Sequence, residues 1–192
     1  MILARLKQET QPQHEAVERR LGLFDHPPTR DSYRTLLRRF YGFHEPVEAR
    51  IGGLADWSQL GFDFDRRRKA ALLEQDLQAL GDTRATLDAL PRCPDLPDLS
   101  SVPRALGCLY VLEGSTLGGQ YITRHLGKLP GGPFPTAFFA SYGDEVGAMW
   151  KAFGAFLTAY SQARADDDVI VASARDTFAA LGAWLPAVGE TA

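Results

Sequence analysis

Apolar residues recur along this chain at intervals of three and four, and almost nowhere at intervals of two. That is the period of a helix face, not of a strand. The clearest stripe opens the chain. Leu3, Leu6, Thr10, His14, Val17 and Leu21 fall on one side of a helix that Gly22 and His26-Pro27-Pro28 bring to an end. Pro12 interrupts it. A proline costs roughly 3 kcal/mol in a helix interior and little in a first turn. The helix carrying His14 is therefore expected to begin near Gln11, after a separate or bent turn.

A second helix is predicted from about Asp31, with Tyr33, Leu36, Leu37, Phe40, Tyr41, His44, Val47 and Ile51 inward, Pro46 as a bend and Gly52-Gly53 as its stop. A third follows Asp63 or Asp65, with Leu72, Leu73, Leu77 and Leu80 inward and Gly81 ending it. A short helical piece is expected near residues 83–90. Pro91, Pro94, Pro97 and Pro103 mark a connection. A longer helix then runs from about Arg104 to Gly127, and Pro130-Gly131-Gly132-Pro133 breaks the chain. Helices over about 144–164 and 167–185 follow, the last capped by Asp166-Asp167-Asp168. Six or so helices with short loops predict a single all-α helical bundle over residues 1–192.

Composition narrows the class. The chain of 192 residues is 45% apolar and 23% charged, enough to bury a core without disulfides or a structural metal. A net charge of −3 argues against a nucleic-acid partner. No run approaches the ~18 apolar residues of a membrane span. The start, Met1 to Glu9, carries charges where a signal peptide would be apolar. A cytoplasmic protein with no membrane partner is expected. Cys93 and Cys108 have no metal-ligand partner at short spacing and read as reduced, buried thiols.

Four histidines are candidates for chemistry. His26 reads as a surface residue in a proline loop, His44 as a hydrogen-bonded core residue, and His125 as a helix-end residue. His14 lies on the first stripe, with Glu18 one turn later and Lys7 two turns back. A buried imidazole needs a partner for its second nitrogen, and Glu18 can supply one. A satisfied core histidine beside a surface glutamate explains the same spacing.

The 104–127 helix holds a second anomaly. Gly107, Val111, Gly114 and Gly118 fall at steps of four, three and four, a strip almost without side chains. With Gly119 it has four glycines in thirteen residues, each costing about 1 kcal/mol against alanine. Either close helix packing compensates, or a flat ligand lies on the bare backbone. Cys108 sits about a hundred degrees round the helix from this strip and reads as core.

Together these segments resemble the heme oxygenase family, its bacterial, phytochrome-associated branch above all. The matching motifs are Leu6-Lys7-x-x-Thr10-x-x-x-His14-x-x-x-Glu18 and Glu113-Gly114-Ser115-x-x-Gly118-Gly119-Gln120. Weaker ones are Trp150-Lys151 and Ala174-Arg175-x-Thr177-Phe178. The resemblance implies a fold of the heme oxygenase type. It implies heme as both cofactor and substrate, opened with O2 and delivered electrons to biliverdin, CO and Fe2+. It makes His14 the proximal iron ligand, and Glu18 its hydrogen-bonded support. Gly114 and Gly118 become the distal glycines where the backbone approaches the oxygen side, with Gly119 beside them. Lys7 and Lys151 become partners of the heme propionates, with Arg124 and Arg175 as weaker candidates. The implied partners are a ferredoxin or flavoprotein reductase as electron donor, and a phytochrome that accepts biliverdin.

This sequence also departs from the pattern. Ser115 stands where animal members carry an aspartate, and a hydroxyl holds water without a negative charge. Gln11 stands where a lysine is often found, and Pro12 is unexpected. Competing readings are a heme carrier without ring cleavage, a bundle of this class acting on a non-heme small molecule, and an interaction module whose glycine strip only packs. A carboxylate-bridged di-iron site needs Glu-x-x-His pairs, which the sequence lacks.

Overall fold

α1 (Ile2–Leu21) runs unbroken through Pro12, so the helix carrying His14 begins nine residues earlier than the proline suggests. The reason is exposure. Pro12 and Gln8 both face solvent, so the carbonyl that loses its helical partner at Gln8 is open to water. Ile2, Leu6 and Thr10 are buried, and the helix closes on Gly22 in the left-handed conformation (φ 50°). The computed structural model describes residues 1–24, 27–130 and 133–186; His26 and the Gly131-Gly132 break lie outside them.

α2 (Arg30–Gly52) starts one residue before Asp31 because Thr29 and Ser32 form a reciprocal capping box. The Ser32 N–H donates to Thr29 Oγ1 at 3.1 Å, and the Thr29 N–H donates to Ser32 Oγ at 3.0 Å. All eight positions of its expected stripe are buried, His44 among them. His44 Nδ1 has no hydrogen-bond partner, and its nearest carboxylate is Glu48 at 3.7 Å. A 3-10 turn (Asp65–Arg67) leads into α3 (Ala70–Ala79), which ends before Gly81 at φ 95°. α4 (Arg84–Ala89), α5 (Val102–Leu126), α7 (Val146–Ala163) and α8 (Asp167–Trp184) follow the expected order.

The sequence pattern does not announce α6 (Ala137–Ala140), which is too short to have a period. A carboxylate far away in sequence holds it: Asp76 accepts the backbone N–H groups of Ala137 (2.8 Å) and Phe138 (2.9 Å). The Tyr33 hydroxyl donates to the Pro135 carbonyl at 2.7 Å beside it. Among the described residues there is no strand, and no helix is long and apolar enough to cross a membrane.

α5 is the central helix. Ala105, Leu106, Gly107, Cys108 and Leu109 are buried consecutively, so its first turns are covered on every side. α8 packs along both α5 and α1, and α7 also touches both. α1 and α5 do not pack along each other. Gly107 permits the α5–α8 contact: a Cβ there would overlap the Ile170 carbonyl oxygen and come within 2.8 Å of Ser173 Cβ. Gly107→Ala is therefore expected to lose about 1–3 kcal/mol of stability despite alanine's better helix propensity. Urea unfolding measures this, and an unchanged midpoint would contradict the packing role.

Candidate functional site

α1 and α5 both pack on α7 and α8 but not along each other, and the space between them is the candidate slot. At one end α5 meets α1 where Tyr110 lies beside Thr10; burial raises the Tyr110 pKa and the nearby Thr10 hydroxyl opposes the rise. At the other end the Phe24 ring, just past α1, lies 5.1 Å from the His125 ring near the end of α5. Residue numbers rise together at both contacts, so the two helices run in the same sense. From Thr10 to Gly22 the slot extends about 18 Å along α1. His14 lies one turn beyond Thr10, and Gly114 one turn beyond Tyr110. The two contacts thus bracket His14 on one wall and Gly114, Ser115 and Gly118 on the other.

On the α1 wall, His14 is half-exposed, with 51% of its side chain accessible. This corrects the expectation of a buried imidazole: the stripe goes into the core through Leu6 and Thr10 and emerges at His14. Its Nδ1 is 3.6 Å from a Glu18 carboxylate oxygen, and the ring stands edge-on to Phe178 of α8, with centroids 5.8 Å apart. With Nδ1 turned to Glu18, Nε2 is the nitrogen available to a ligand. Among the described residues no three His, Cys, Asp or Glu side chains gather as a metal cluster. A single exposed imidazole suits a metal that brings its other ligands with it.

On the α5 wall the glycines separate into two groups. A Cβ at Gly118 would meet nothing within 4 Å, and one at Gly114 would meet only the Trp150 ring, at 3.8 Å. Neither glycine is required by packing, so their absent side chains leave bare backbone facing the slot. Gly119 belongs with Gly107. A Cβ there would overlap the Phe139 carbonyl oxygen, so it faces α6, away from the slot where it was expected to contact the ligand. Ser115 is exposed, and its hydroxyl donates to the Leu112 carbonyl at 2.8 Å. Its proton is committed to the helix, and its lone pairs remain to accept a hydrogen bond from water.

Cations sit at the Tyr110 end. Lys7 lies two turns before His14 on the same face of α1, about 10 Å along the axis. Lys151 lines a groove of about 460 Å3 with Leu3, Trp150 and Gly154. Both lysines are exposed, and neither forms an ion pair among the described residues. Arg175, a weaker candidate, is held by Glu9 at 2.6 Å, and Arg124 stacks over Tyr121 while donating to the Gln120 carbonyl. Sequence reasoning did not single out Tyr110, Phe24 or Tyr121. Tyr121 is 64% exposed one turn past Gly118, and an aromatic at that spacing on a glycine-bare face was the available signal. Cys108 is buried, its thiol pushed up to about 12 by burial, and it does not reach the slot.

Behind α5 lies a buried ionic cluster. Glu113 pairs with Arg67, accepts from the Tyr142 hydroxyl at 2.7 Å, and has Lys69 Nζ at 3.8 Å. Burial pulls the Lys69 ammonium down from 10.5 to about 8, against the pull of Glu113 and Glu48. The unfolded chain then binds more protons at this site between about pH 8 and 10.5, so Lys69 destabilises the fold fully below pH 8 and progressively less above it. The wild type is expected to gain stability relative to Lys69→Met, by up to about 3 kcal/mol, as pH rises through that window. Urea titrations at pH 7 and 10 check this, and a pH-independent difference would contradict it.

The sequence model of the family described as heme oxygenase matches residues 1–187. A heme oxygenase of Xanthomonas campestris pv. campestris (strain 8004) is 34% identical over 155 residues, covering 78% of this chain and 86% of the relative. The fold is similar to the structure of heme oxygenase from Leptospira interrogans, with a TM-score of 0.73, 18% identity and coverage of 95% of this chain and 97% of that one. It is also similar to heme oxygenase-1 from the cyanobacterium Synechocystis sp. PCC6803 in complex with heme, with a TM-score of 0.71, 19% identity and coverage of 95% and 90%.

Proposed function

Since the chain belongs to the heme oxygenase family, we propose that it seats heme in the slot between α1 and α5, with His14 as the iron ligand. The reaction is the family's O2- and electron-dependent opening of heme to biliverdin, CO and Fe2+. What supports the placement is a half-exposed imidazole with the Glu18 carboxylate 3.6 Å away, together with two glycines of α5, Gly114 and Gly118, that nothing in the fold requires.

Heme is the substrate, and its iron and ring supply the redox chemistry; the chain supplies the rest. His14 presents Nε2 as a neutral ligand, with Glu18 fixing the tautomer. Gly114 and Gly118 let the backbone come close to the opposite face, where a side chain would take the place of O2. Ser115 accepts a hydrogen bond from a water there, which orients that water to donate toward the reacting side. Thr10, Tyr110 and Trp150 close one end of the slot against solvent, and Phe24 and His125 close the other. Lys7 and Lys151 pair with the propionates at the solvent edge. Electrons come from a ferredoxin or a flavoprotein reductase, and the proposed recipient of biliverdin is a phytochrome.

Hemin titration of the purified chain, followed by reduction in air, tests the reading. Near-equimolar binding, then loss of the Soret band with growth of the biliverdin band, is expected. Heme that persists under reduction would mean a carrier. Failure to bind at that stoichiometry would leave the bare glycines of α5 without a ligand and defeat the reading.

A further inference from the structure

The glycine wall has lost the side chains that would ordinarily fix a helix in place, yet its backbone must be located closely. The cluster on its far side does this. Glu113, immediately before Gly114, is 2% exposed. One carboxylate oxygen accepts from Tyr142, and the other is paired with Arg67. The Arg67 guanidinium also reaches the Met149 carbonyl of α7 and lies 4.7 Å from the Phe62 ring centroid. Lys69 Nζ donates to the Arg67 carbonyl at 2.8 Å and lies 3.8 Å over the Tyr142 ring. Glu48 of α2 accepts the backbone N–H groups of Lys69 (2.6 Å) and Ala70 (3.1 Å). Four separate stretches of chain thus fix a single carboxylate on α5.

A second tie follows two turns on. Gln120 Nε2 donates to the Gly143 carbonyl at 2.6 Å, and Gly119 rests against the Phe139 backbone. Between these ties Ser141 adopts a positive φ of 46°, which a non-glycine residue holds only when its surroundings enforce it. The segment from Phe139 to Gly143 is therefore a strap along residues 113–120, applied from behind while the front stays bare. Stability alone is a poor reason for it, because well-packed apolar residues in place of a buried ionic cluster often do as well or better.

We infer that Glu113, gripped by Arg67 and Tyr142, is a positioning residue that sets the height and rotation of the Gly114–Gly118 backbone over the heme, and so selects which meso carbon is opened. The inference rests on the heme oxygenase reading of the same slot. Glu113 touches neither substrate nor oxygen; it acts through the backbone of the next residue. A misplacement of 1 Å at a reacting centre costs up to about a hundredfold in rate, and a small rotation of the wall changes which edge of the ring is crowded.

The test uses the full chain loaded with hemin, comparing wild type with Tyr142→Phe and Glu113→Gln, and Arg38→Ala as control. Tyr142→Phe removes one hydroxyl from Glu113 and is expected to fold. Arg38 pairs with Asp82 away from the slot, so its variant reports stability loss alone. Measured are Tm, hemin affinity, the ferric spectrum, turnover and the isomer composition of the biliverdin. Tyr142→Phe is expected to keep the wild-type ferric spectrum, with affinity within about threefold, while turnover falls about tenfold and a second isomer appears. Glu113→Gln, if it folds, shows the larger isomer shift; if not, Tyr142→Phe decides. Arg38→Ala lowers Tm with the product unchanged. The inference is overturned if Tyr142→Phe makes the wild-type isomer at the wild-type rate, or if Arg38→Ala scrambles the product equally. A wild type that fails to bind or open heme defeats the functional reading instead, before any variant is compared.

Discussion

His14→Ala should abolish the histidine-ligated heme spectrum and lower turnover by about a hundredfold or more, while the protein stays folded. Loss of a group that only supports a metal ligand costs 10–100-fold, so loss of the ligand itself should exceed that range. Folding survives because the side chain is half in solvent, and its one ring contact in the core is edge-on to Phe178. Imidazole added to the variant occupies the vacated space and restores a nitrogen-ligated spectrum, since the opening is bounded by α1 and not filled by neighbours. Absorption and resonance Raman spectra of the ferric complex, with Tm as the control, measure this. A spectrum identical to wild type would move the ligand to another residue and remove the basis for the slot.

The second large effect separates the two explanations of the glycine strip. Gly118→Leu places a side chain where nothing lies within 4 Å, and leucine is favoured over glycine in a helix by up to about 1 kcal/mol. The variant should be as stable as wild type or more so, yet lose nearly all O2-dependent turnover because the side chain occupies the oxygen side of the slot. Gly114→Leu should also block turnover, with a smaller stability gain because the Trp150 ring stands nearby. Gly107→Ala has the reverse signature, with lost stability and an unaltered slot. If Gly118→Leu turned over heme at the wild-type rate, the bare backbone would have no role in oxygen handling.

The helices were legible where burial follows a period. The α2 stripe could be read position by position because its inward residues share one continuous core. Pro12 misled because a cost that is severe in a buried helix is mild where the ring and the freed carbonyl face water. α6 left no trace because Asp76 and Tyr33, some sixty and a hundred residues away, hold it. The glycine strip was visible but ambiguous, since spacing cannot show what lies opposite each position. Gly107 and Gly118 sit three turns apart on a similar face, yet one lies against α8 and the other is bare. The Glu113 cluster was not legible at all: its members stand at 48, 67, 69, 113 and 142, with no local pattern to join them.

The walls of the slot lean along their length on α7 and α8, and meet one another only near its two ends. The same architecture bears on departure. A flat disc goes in and a puckered, ring-opened chain must come out, and any change in the separation of the two walls is taken up where α1 and α5 pack on α8.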